Sequence, residues 1–293
     1  MTYSVVAVDP ETGCRGVAVA SKALCVGAHV PWGAAGVGAV ATQAWHDLRY
    51  GCDGLALLRE GRSAASTVYE LSHDDPDAPN RQVGIVDAQG RVASYTGSRC
   101  LPWAGGMCGA GYAVQGNLLA GSFVVEAMAT AYEAASDEAF ARRLVLALLA
   151  GDAAGGDRRG RQSAAVRIWR AHPSERADAI DTVVDLRIDD DARRPVSALL
   201  DMLPRLWLEY GRGDAEHSLP LEGETLARVG ELLGVHDPSE VEPSLAQWAS
   251  EQNLEGRVLD GAIDGALLGA LQFGPASALA SAAAHPPTRN WPA

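Results

Sequence analysis

Residues 2–21 have the sequence TYSVVAVDPETGCRGVAVAS, in which two apolar, β-branched runs flank a Pro/Gly segment at residues 9–13. Short branched runs are typical of strands, and proline and glycine between them are typical of a turn. We therefore predict an antiparallel hairpin here. Its geometry places Ser21 and Lys22, at the end of the second strand, close to Thr2 at the start of the first.

Thr2 is the candidate nucleophile of this hairpin. Removal of Met1 by an aminopeptidase, which is usual before a small residue, would leave both a hydroxyl and a free α-amine on Thr2. An α-amine with a pKa near ~8 is a base suited to neutral pH, and the pair is the N-terminal-threonine variant of the catalytic triad. Threonine is also common at position 2 without a catalytic role. Retention of Met1 would consume the amine in a peptide bond.

Two neighbours of Thr2 are candidates for supporting that amine. A cation and a hydroxyl at Lys22 and Ser21 would orient the amine and keep it neutral, although a lysine at a strand end is ordinarily a surface residue. Cys25, shortly after this strand, is an alternative nucleophile. Its position alone does not indicate the lowered pKa that a reactive thiol requires.

Further motifs follow the hairpin in a fixed order and carry a resemblance to a known family. They are VGAHVPW (26–32), GVGAVATQA (36–44), RQVGIVD (81–87), YTG (95–97), GYAVQGN (111–117) and AAGGDRRGRQS (153–163). Over residues 2–210 the chain resembles a bacterial family of unknown function that is assigned to the Ntn-hydrolase-like fold. The resemblance implies an α+β fold, a four-layer αββα sandwich, and amide hydrolysis as the reaction class. It implies no particular substrate.

The pattern of apolar residues predicts the order of secondary structure independently of that resemblance. The predicted strands are 36–42, 82–87, 91–96, 111–115, 163–169 and 182–188, and the predicted helices are 52–60, 63–72, 122–135, 137–149 and 195–210. Strands that come as close hairpins favour antiparallel sheets covered by helices over a βαβ series. We expect one domain over residues 1–212.

A second, smaller unit is expected after a linker near residue 211. Helices are predicted at 224–233, 238–252 and 265–272, which gives a small helical module over 221–273, and the tail at 274–293 is expected to be disordered. Residues 253–264 resemble a small peptidoglycan-binding-like module found after this family's main domain. A helper or dimerisation role for the module is an equal alternative.

Two polar pairs at strand ends are candidates for contacting a substrate amide. Thr42 and Gln43 end the third strand, where a hydroxyl, a side-chain amide or backbone N–H groups could stabilise an oxyanion; polar residues also occur where any strand exits a sheet. Gln115 and Asn117 flank a glycine whose backbone allows close approach of a ligand. Without the family resemblance, a turn is the favoured interpretation of this tripeptide.

The loop at residues 151–163 combines four glycines, three arginines and two aspartates in an otherwise acidic chain. Because arginine binds carboxylates and phosphates with a planar fork, the loop could hold an acidic substrate group, with Asp157 and Arg161 as the residues facing the site. The open alternative is that these arginines pair with Asp152, with Asp157 or with a neighbouring subunit.

Composition limits the partners of the protein. The formal net charge is −13 over 293 residues and the pI is about 4.9, which argues against binding to nucleic acids or anionic membranes. The five cysteines and seven histidines show no metal-ligand spacing, so we expect neither a metal nor another cofactor. We see no membrane span or apolar leader, and expect a cytoplasmic location. A homo-oligomer is expected, with a dimer favoured.

These observations lead to one functional expectation and one alternative. We expect an N-terminal-nucleophile amidohydrolase that acts on a small amide-containing, anionic metabolite, with Thr2 attacking and Thr42 or Asn117 stabilising the oxyanion. The alternative is a ligand-binding or assembly protein that keeps the sandwich without using the nucleophile. Tight ligand retention without turnover would distinguish the second from the first.

Overall fold

The computed structural model describes residues 2–173, 181–211, 213 and 217–274. It divides the chain into two compact units, with the boundary between Leu200 and Asp201. Residues 212 and 214–216 of the linker predicted near residue 211 lie outside the described residues, as does the predicted tail after Gly274. Each unit is described separately below.

The first unit consists of antiparallel strands and two pairs of helices. Its strands are β1 Thr2–Val8, β2 Arg15–Ser21, β3 Pro31–Ala34, β4 Gly38–Ala44, β5 Arg81–Asp87, β6 Val92–Thr96, β7 Gly105–Gly109, β8 Tyr112–Asn117, β9 Ser163–Trp169 and β10 Thr182–Ile188. Its helices are α1 Arg49–Arg59, α2 Ala64–His73, α3 Phe123–Ala134 and α4 Phe140–Ala153, followed by α5 Pro195–Tyr210, which extends past Leu200.

The strands form two sheets, with orders β10-β9-β2-β1-β8-β7 and β3-β4-β5-β6. The predicted hairpin of β1 and β2 is confirmed, and its register pairs Thr2 with Ser21. On its other side β1 pairs with β8, which sets Thr2 beside Asn117. Thr2 therefore lies at one end of a strand in the interior of the six-stranded sheet.

Apolar side chains hold the two sheets face to face, while α1 and α2 pack on the four-stranded sheet and α3 and α4 on the six-stranded sheet. The core between the sheets contains Val6, Val17, Val19, Val26, Val30, Ala39, Ala41, Val86, Ala113, Ala165 and Trp169. Because each sheet is covered on both faces, strands such as β1 are apolar without alternation. The predicted α+β class with antiparallel sheets is confirmed.

Two strands, β3 and β7, were not predicted from the sequence. β7 is rich in glycine, which has low strand propensity, and β3 is a four-residue strand that begins with a proline. Glycine is required at Gly33 by packing, since a Cβ there would lie 2.3 Å from the Trp169 ring. These two segments therefore form strands because of tertiary contacts and not because of their local strand propensity.

The second unit contains both helices and a small sheet, whereas the sequence predicted helices alone. Its helices are α6 Gly223–Leu233, α7 Pro238–Glu251 and α8 Gly265–Phe273, and its strands β11 Ser218–Pro220, β12 Val258–Leu259 and β13 Ala262–Asp264 pair in the order β11-β13-β12. Strands of two or three residues are too short to show a period in the sequence. The resemblance to peptidoglycan-binding modules stays a prediction.

A charged cluster around Arg81 fixes the loop that follows β4. The Arg81 guanidinium donates to Asp75 Oδ2 at 2.8 Å and to the carbonyl of Trp45 at 2.6 Å, and its Nη2 lies 3.5 Å from Asp47 Oδ2. Hydrogen bonds from the Arg49 side chain lower the pKa of Asp47 to about 2. The loop that carries Trp45 is thereby tied to the start of β5.

The lowered pKa of Asp47 predicts how stability depends on pH. Because the folded-state pKa lies below the unfolded value of about 3.9, the stabilisation is present above about pH 4 and is lost as pH falls toward 2. We expect Asp47→Asn to lower the free energy of unfolding by about 1 kcal/mol at pH 7, since Arg49 is largely exposed. Urea titrations of both proteins should show this difference shrinking between about pH 4 and pH 2. A difference that stays constant would contradict the assignment.

The close approach of the sheets at Gly84 predicts a second stability effect. A Cβ at Gly84 in β5 would lie 2.3 Å from Oε1 of Gln115 in β8. We expect Gly84→Ala to lower the free energy of unfolding by about 2 kcal/mol, because overpacking displaces a hydrogen-bonded side chain. Gly54→Ala in α1 is the matched control: its Cβ meets no atom closer than 3.4 Å, and it should be neutral or stabilising in the same urea titration.

Candidate functional site

Thr2 is the first residue of β1, an interior strand of the six-stranded sheet, and it is only 5% exposed. Its hydroxyl donates to Ser21 Oγ at 3.2 Å across the β1–β2 pair. Its carbonyl accepts a hydrogen bond from Gln43 Nε2, which reaches across from the four-stranded sheet, at 3.3 Å. The structure therefore brings together Thr2, Ser21, Gln43 and Asn117 of the predicted site residues.

A group of polar side chains next to Thr2 joins the two sheets, and we call it the buried amide network. It consists of Ser4, Gln43, Gln82, Gln115 and Asn117, each no more than 1% exposed. Gln115 Nε2 donates to Ser4 Oγ at 2.7 Å, and Ser4 Oγ donates to Gln43 Oε1 at 2.7 Å. Gln43 Nε2 donates to Gln82 Oε1 at 2.8 Å. Neighbouring groups supply hydrogen bonds to these buried amides, except that Gln115 Oε1 has no partner among the described residues.

Asn117 connects this network to the position beside Thr2. Its Nδ2 donates to Gln82 Oε1 at 2.8 Å, which fixes the orientation of the amide. An amide nitrogen carries two hydrogens, so one N–H of Asn117 is left over after this bond. Asn117 thus has a donor for an oxyanion formed next to Thr2.

Thr42 is not brought to this group. Gln43 points toward the six-stranded sheet, and because side chains alternate along a strand, Thr42 points the other way, toward the helices. Its hydroxyl donates to the carbonyl of Asp47 at 3.4 Å. The structure therefore offers no support for Thr42 as an oxyanion group.

The arginine-rich loop is organised by ion pairs with its own carboxylates. Arg161 Nε contacts both oxygens of Asp152, at 2.7 and 2.9 Å, and Arg159 Nη2 lies 2.8 Å from Asp157 Oδ2. Asp157 also accepts from the backbone N–H of Lys22 at 2.9 Å. These contacts agree with the alternative in which the arginines pair with Asp152 and Asp157. The arginine charges that we expected to bind a substrate are therefore neutralised by carboxylates of the loop itself.

The Asp152–Arg161 pair belongs to the face of the sheet away from Thr2 Oγ1. Tyr3, whose side chain points opposite to that of Thr2, donates its hydroxyl to Asp152 at 3.4 Å. Burial, with Asp152 as the next cause, raises the pKa of Tyr3 well above its usual value. Arg161 therefore stabilises the loop on the face away from the candidate nucleophile, while Asp157 accepts from the Lys22 N–H at the end of β2.

Lys22 and the cysteines are less closely tied to the site. The Lys22 ammonium forms no ion pair within the described part of the chain. Cys25 is half-buried, has a backbone φ of 53° and precedes a short helical turn at residues 26–28. Cys100 lies beside the site, but burial raises its thiol pKa, which disfavours a thiolate at neutral pH.

A cavity of about 250 Å³ adjoins Asn117. It is lined by Ala44, Trp45, Asn80, Arg99, Cys100, Leu101 and Asn117. The volume is slightly below the range of drug-sized pockets and suits a small metabolite. A cavity of about 330 Å³ between α1 and α2 contains none of the predicted site residues.

Several residues of this region were not predicted from the sequence. Gln82 is one residue of the RQVGIVD motif, and its role in joining the two sheets is visible only once the facing sheet is known. Trp45, Asn80 and Arg99 come from three separate loops, and no spacing along the chain relates them. Their common feature is that each follows or precedes a strand of the four-stranded sheet.

The charge at this cavity comes from Arg99. Its guanidinium forms neither an ion pair nor a hydrogen bond with any residue described in the structure. His46, next to Trp45, has its pKa lowered by burial and then by His29, and is therefore neutral at pH 7.

Among residues 2–173, 181–211 and 217–274, no helix has the length and apolar character needed to cross a membrane.

Comparison with known proteins places the chain in a family. The crystal structure of protein SPO2555 from Silicibacter pomeroyi, a DUF1028 protein, is 32% identical with a TM-score of 0.63, and the match covers 77% of this chain and 88% of that one. A comparison with curated proteins gave no match. The model of the family of unknown function DUF1028 matches residues 2–199. The chain therefore belongs to the DUF1028 family.

Proposed function

We propose that the first unit is an amidohydrolase of the N-terminal-nucleophile type, with Thr2 as its nucleophile. The observation that carries this proposal is the position of Thr2: its hydroxyl is hydrogen-bonded to Ser21, and Asn117 lies beside it in the neighbouring strand and lines a small cavity. A hydroxyl, a potential amine and an oxyanion donor are thus collected at one place.

The arrangement of layers supports an Ntn-hydrolase-like fold. Two facing antiparallel sheets, each covered by a helix pair, form an αββα sandwich, and the candidate nucleophile begins a strand in the interior of one sheet. Because that strand is bonded on both sides, Thr2 is held rigidly. A fixed nucleophile removes part of the entropic barrier to attack.

The proposed reaction has two steps and requires a free α-amine on Thr2. In the first, Thr2 Oγ attacks the amide carbonyl while the amine accepts the hydroxyl proton; the C–N bond then breaks and the amine returns the proton to the leaving nitrogen. In the second, water attacks the resulting ester while the amine accepts a proton from that water; the ester C–O bond then breaks and the amine returns the proton to Thr2 Oγ, which is released as the alcohol. The products are an amine and a carboxylate.

Asn117 is the proposed oxyanion donor, and Ser21 the positioning residue. The N–H of Asn117 Nδ2 that is not bonded to Gln82 would stabilise the negative charge on the carbonyl oxygen. Ser21 holds the Thr2 hydroxyl in place. Lys22 would keep the α-amine neutral through its positive charge, which is our expectation from the sequence.

Thr2 should become covalently modified by an electrophile that mimics an activated acyl group. An alkyl-substituted β-lactone opens when a hydroxyl attacks its carbonyl, so the product is an ester that adds the full lactone mass. We expect labelling at Thr2 of protein expressed without an N-terminal tag, whose intact mass is lower by one methionine. Thr2→Ser should retain labelling and Thr2→Ala should lose it by about 10³-fold or more.

The two variants are matched because serine and alanine at position 2 are also small and permit removal of Met1. Peptide mass spectrometry identifies the labelled residue. An intact Met1 in the native protein, or equal labelling of Thr2→Ala, would contradict the mechanism. Tight binding of a small molecule by the processed protein without labelling or turnover would favour a ligand-binding role.

Asn117 should be required for the rate of that same acylation. We expect Asn117→Ala to slow lactone labelling by about 10²- to 10³-fold, as is typical for loss of one oxyanion donor. Thr42→Val separates the two oxyanion candidates, because the Thr42 hydroxyl points toward the helices and its loss should leave the labelling rate unchanged. Denaturation midpoints show whether each variant is folded. Slow labelling of Thr42→Val together with fast labelling of Asn117→Ala would reverse the assignment of the oxyanion donor.

A further inference from the structure

We propose that the cavity lined by Asn117, the strand partner of Thr2, selects amides that carry a carboxylate, and that Arg99 binds this carboxylate. The inference rests on the hydrolase function proposed above and assigns a substrate class to the same site. It also moves the anion-binding residue from the arginine-rich loop, where the sequence suggested it, to the loop after β6.

The charge distribution around the cavity carries the first part of this inference. Arg99 is the one charged residue of the seven that line it, although the chain as a whole has a net charge of −13. Other arginines of the first unit, such as Arg81 and Arg161, are held by carboxylates of the protein itself. The Arg99 guanidinium has no such partner within the described residues, so its fork is available to a ligand carboxylate.

Backbone hydrogen bonds hold the walls of the cavity in place. The Arg99 N–H donates to the carbonyl of Pro79 at 2.7 Å, and the Trp45 N–H donates to the carbonyl of Asn80 at 3.2 Å. The Leu118 N–H donates to the carbonyl of Leu101 at 2.8 Å, which ties the Arg99 loop to the end of β8 next to Asn117. Because these segments are ordered already, a ligand loses less free energy in organising them.

Exposed apolar side chains border the same cavity. Trp45 is 70% exposed and Leu101 is 55% exposed, and both line it together with Arg99. An indole face binds planar and apolar groups well. The combination predicts a ligand with three parts: a carboxylate for Arg99, an amide for Thr2 and Asn117, and an apolar or planar group for Trp45. Small N-acyl amino acids have this composition.

Two probes that differ only in charge test the inference. N-benzoylglycine carries a carboxylate, an amide and a planar ring, while N-benzoylglycinamide replaces the carboxylate by a neutral amide. Using the full-length Thr2→Ala protein and calorimetry, we expect the carboxylate probe to bind at least about 10-fold more tightly. Arg99→Gln in the same background should weaken its binding by about 10- to 100-fold and leave the neutral probe within about twofold.

Arg59→Gln, at an exposed position of α1 outside the cavity, is the control and should bind both probes as the parent does. Equal affinity for the two probes, a loss in Arg161→Gln in place of Arg99→Gln, or no binding up to about 10 mM would overturn the inference. Binding is independent of turnover. Arg99-dependent binding without lactone labelling of Thr2 therefore contradicts the hydrolase proposal alone, and labelling without Arg99-dependent binding contradicts the carboxylate site alone.

Discussion

The Gln43 side chain is the contact on which the geometry of the candidate site depends. Gln43 belongs to the four-stranded sheet, and within that sheet its Nε2 donates to Gln82 Oε1. Across the interface with the six-stranded sheet, its Oε1 accepts from the Ser4 hydroxyl and its Nε2 donates to the carbonyl of Thr2. A buried amide without partners would cost about 1–3 kcal/mol, so the facing strands must keep the register that satisfies it. This requirement couples the position of Thr2 to the four-stranded sheet, although both strands that pair with β1 belong to the six-stranded sheet.

The surrounding core makes this coupling possible because its side chains are small. Valine and alanine dominate the space between the sheets, and Gly84 leaves room for the Gln115 amide. Close packing of small residues brings the backbones near enough for a glutamine to span the gap, as larger residues would not. The apolar core and the buried amide network therefore depend on each other: the core sets the separation, and the amides set the register.

Local signals predicted the fold well wherever the chain carries a clear pattern. The bounds of β9, β10 and α5 follow directly from apolar periodicity, and α2 begins after Ser63, a typical cap residue whose side chain accepts from the Ser66 N–H. The site was predicted in part: the hairpin brought Thr2 to Ser21, but Thr42 points to the helices and Arg161 is held by Asp152. Residue type indicates what chemistry is available, whereas strand alternation and ion pairing decide where it is used.

The contrast between Arg161 and Arg99 shows why composition misled the assignment of charge. A loop with several arginines looks like an anion site, yet its charges are balanced by Asp152 and Asp157, and the balance orders the loop across the end of the six-stranded sheet. A single arginine between ordinary residues gives no signal in the sequence. Only the fold shows that Arg99 lines a cavity without carboxylates, and an arginine in such surroundings retains its full capacity for a ligand.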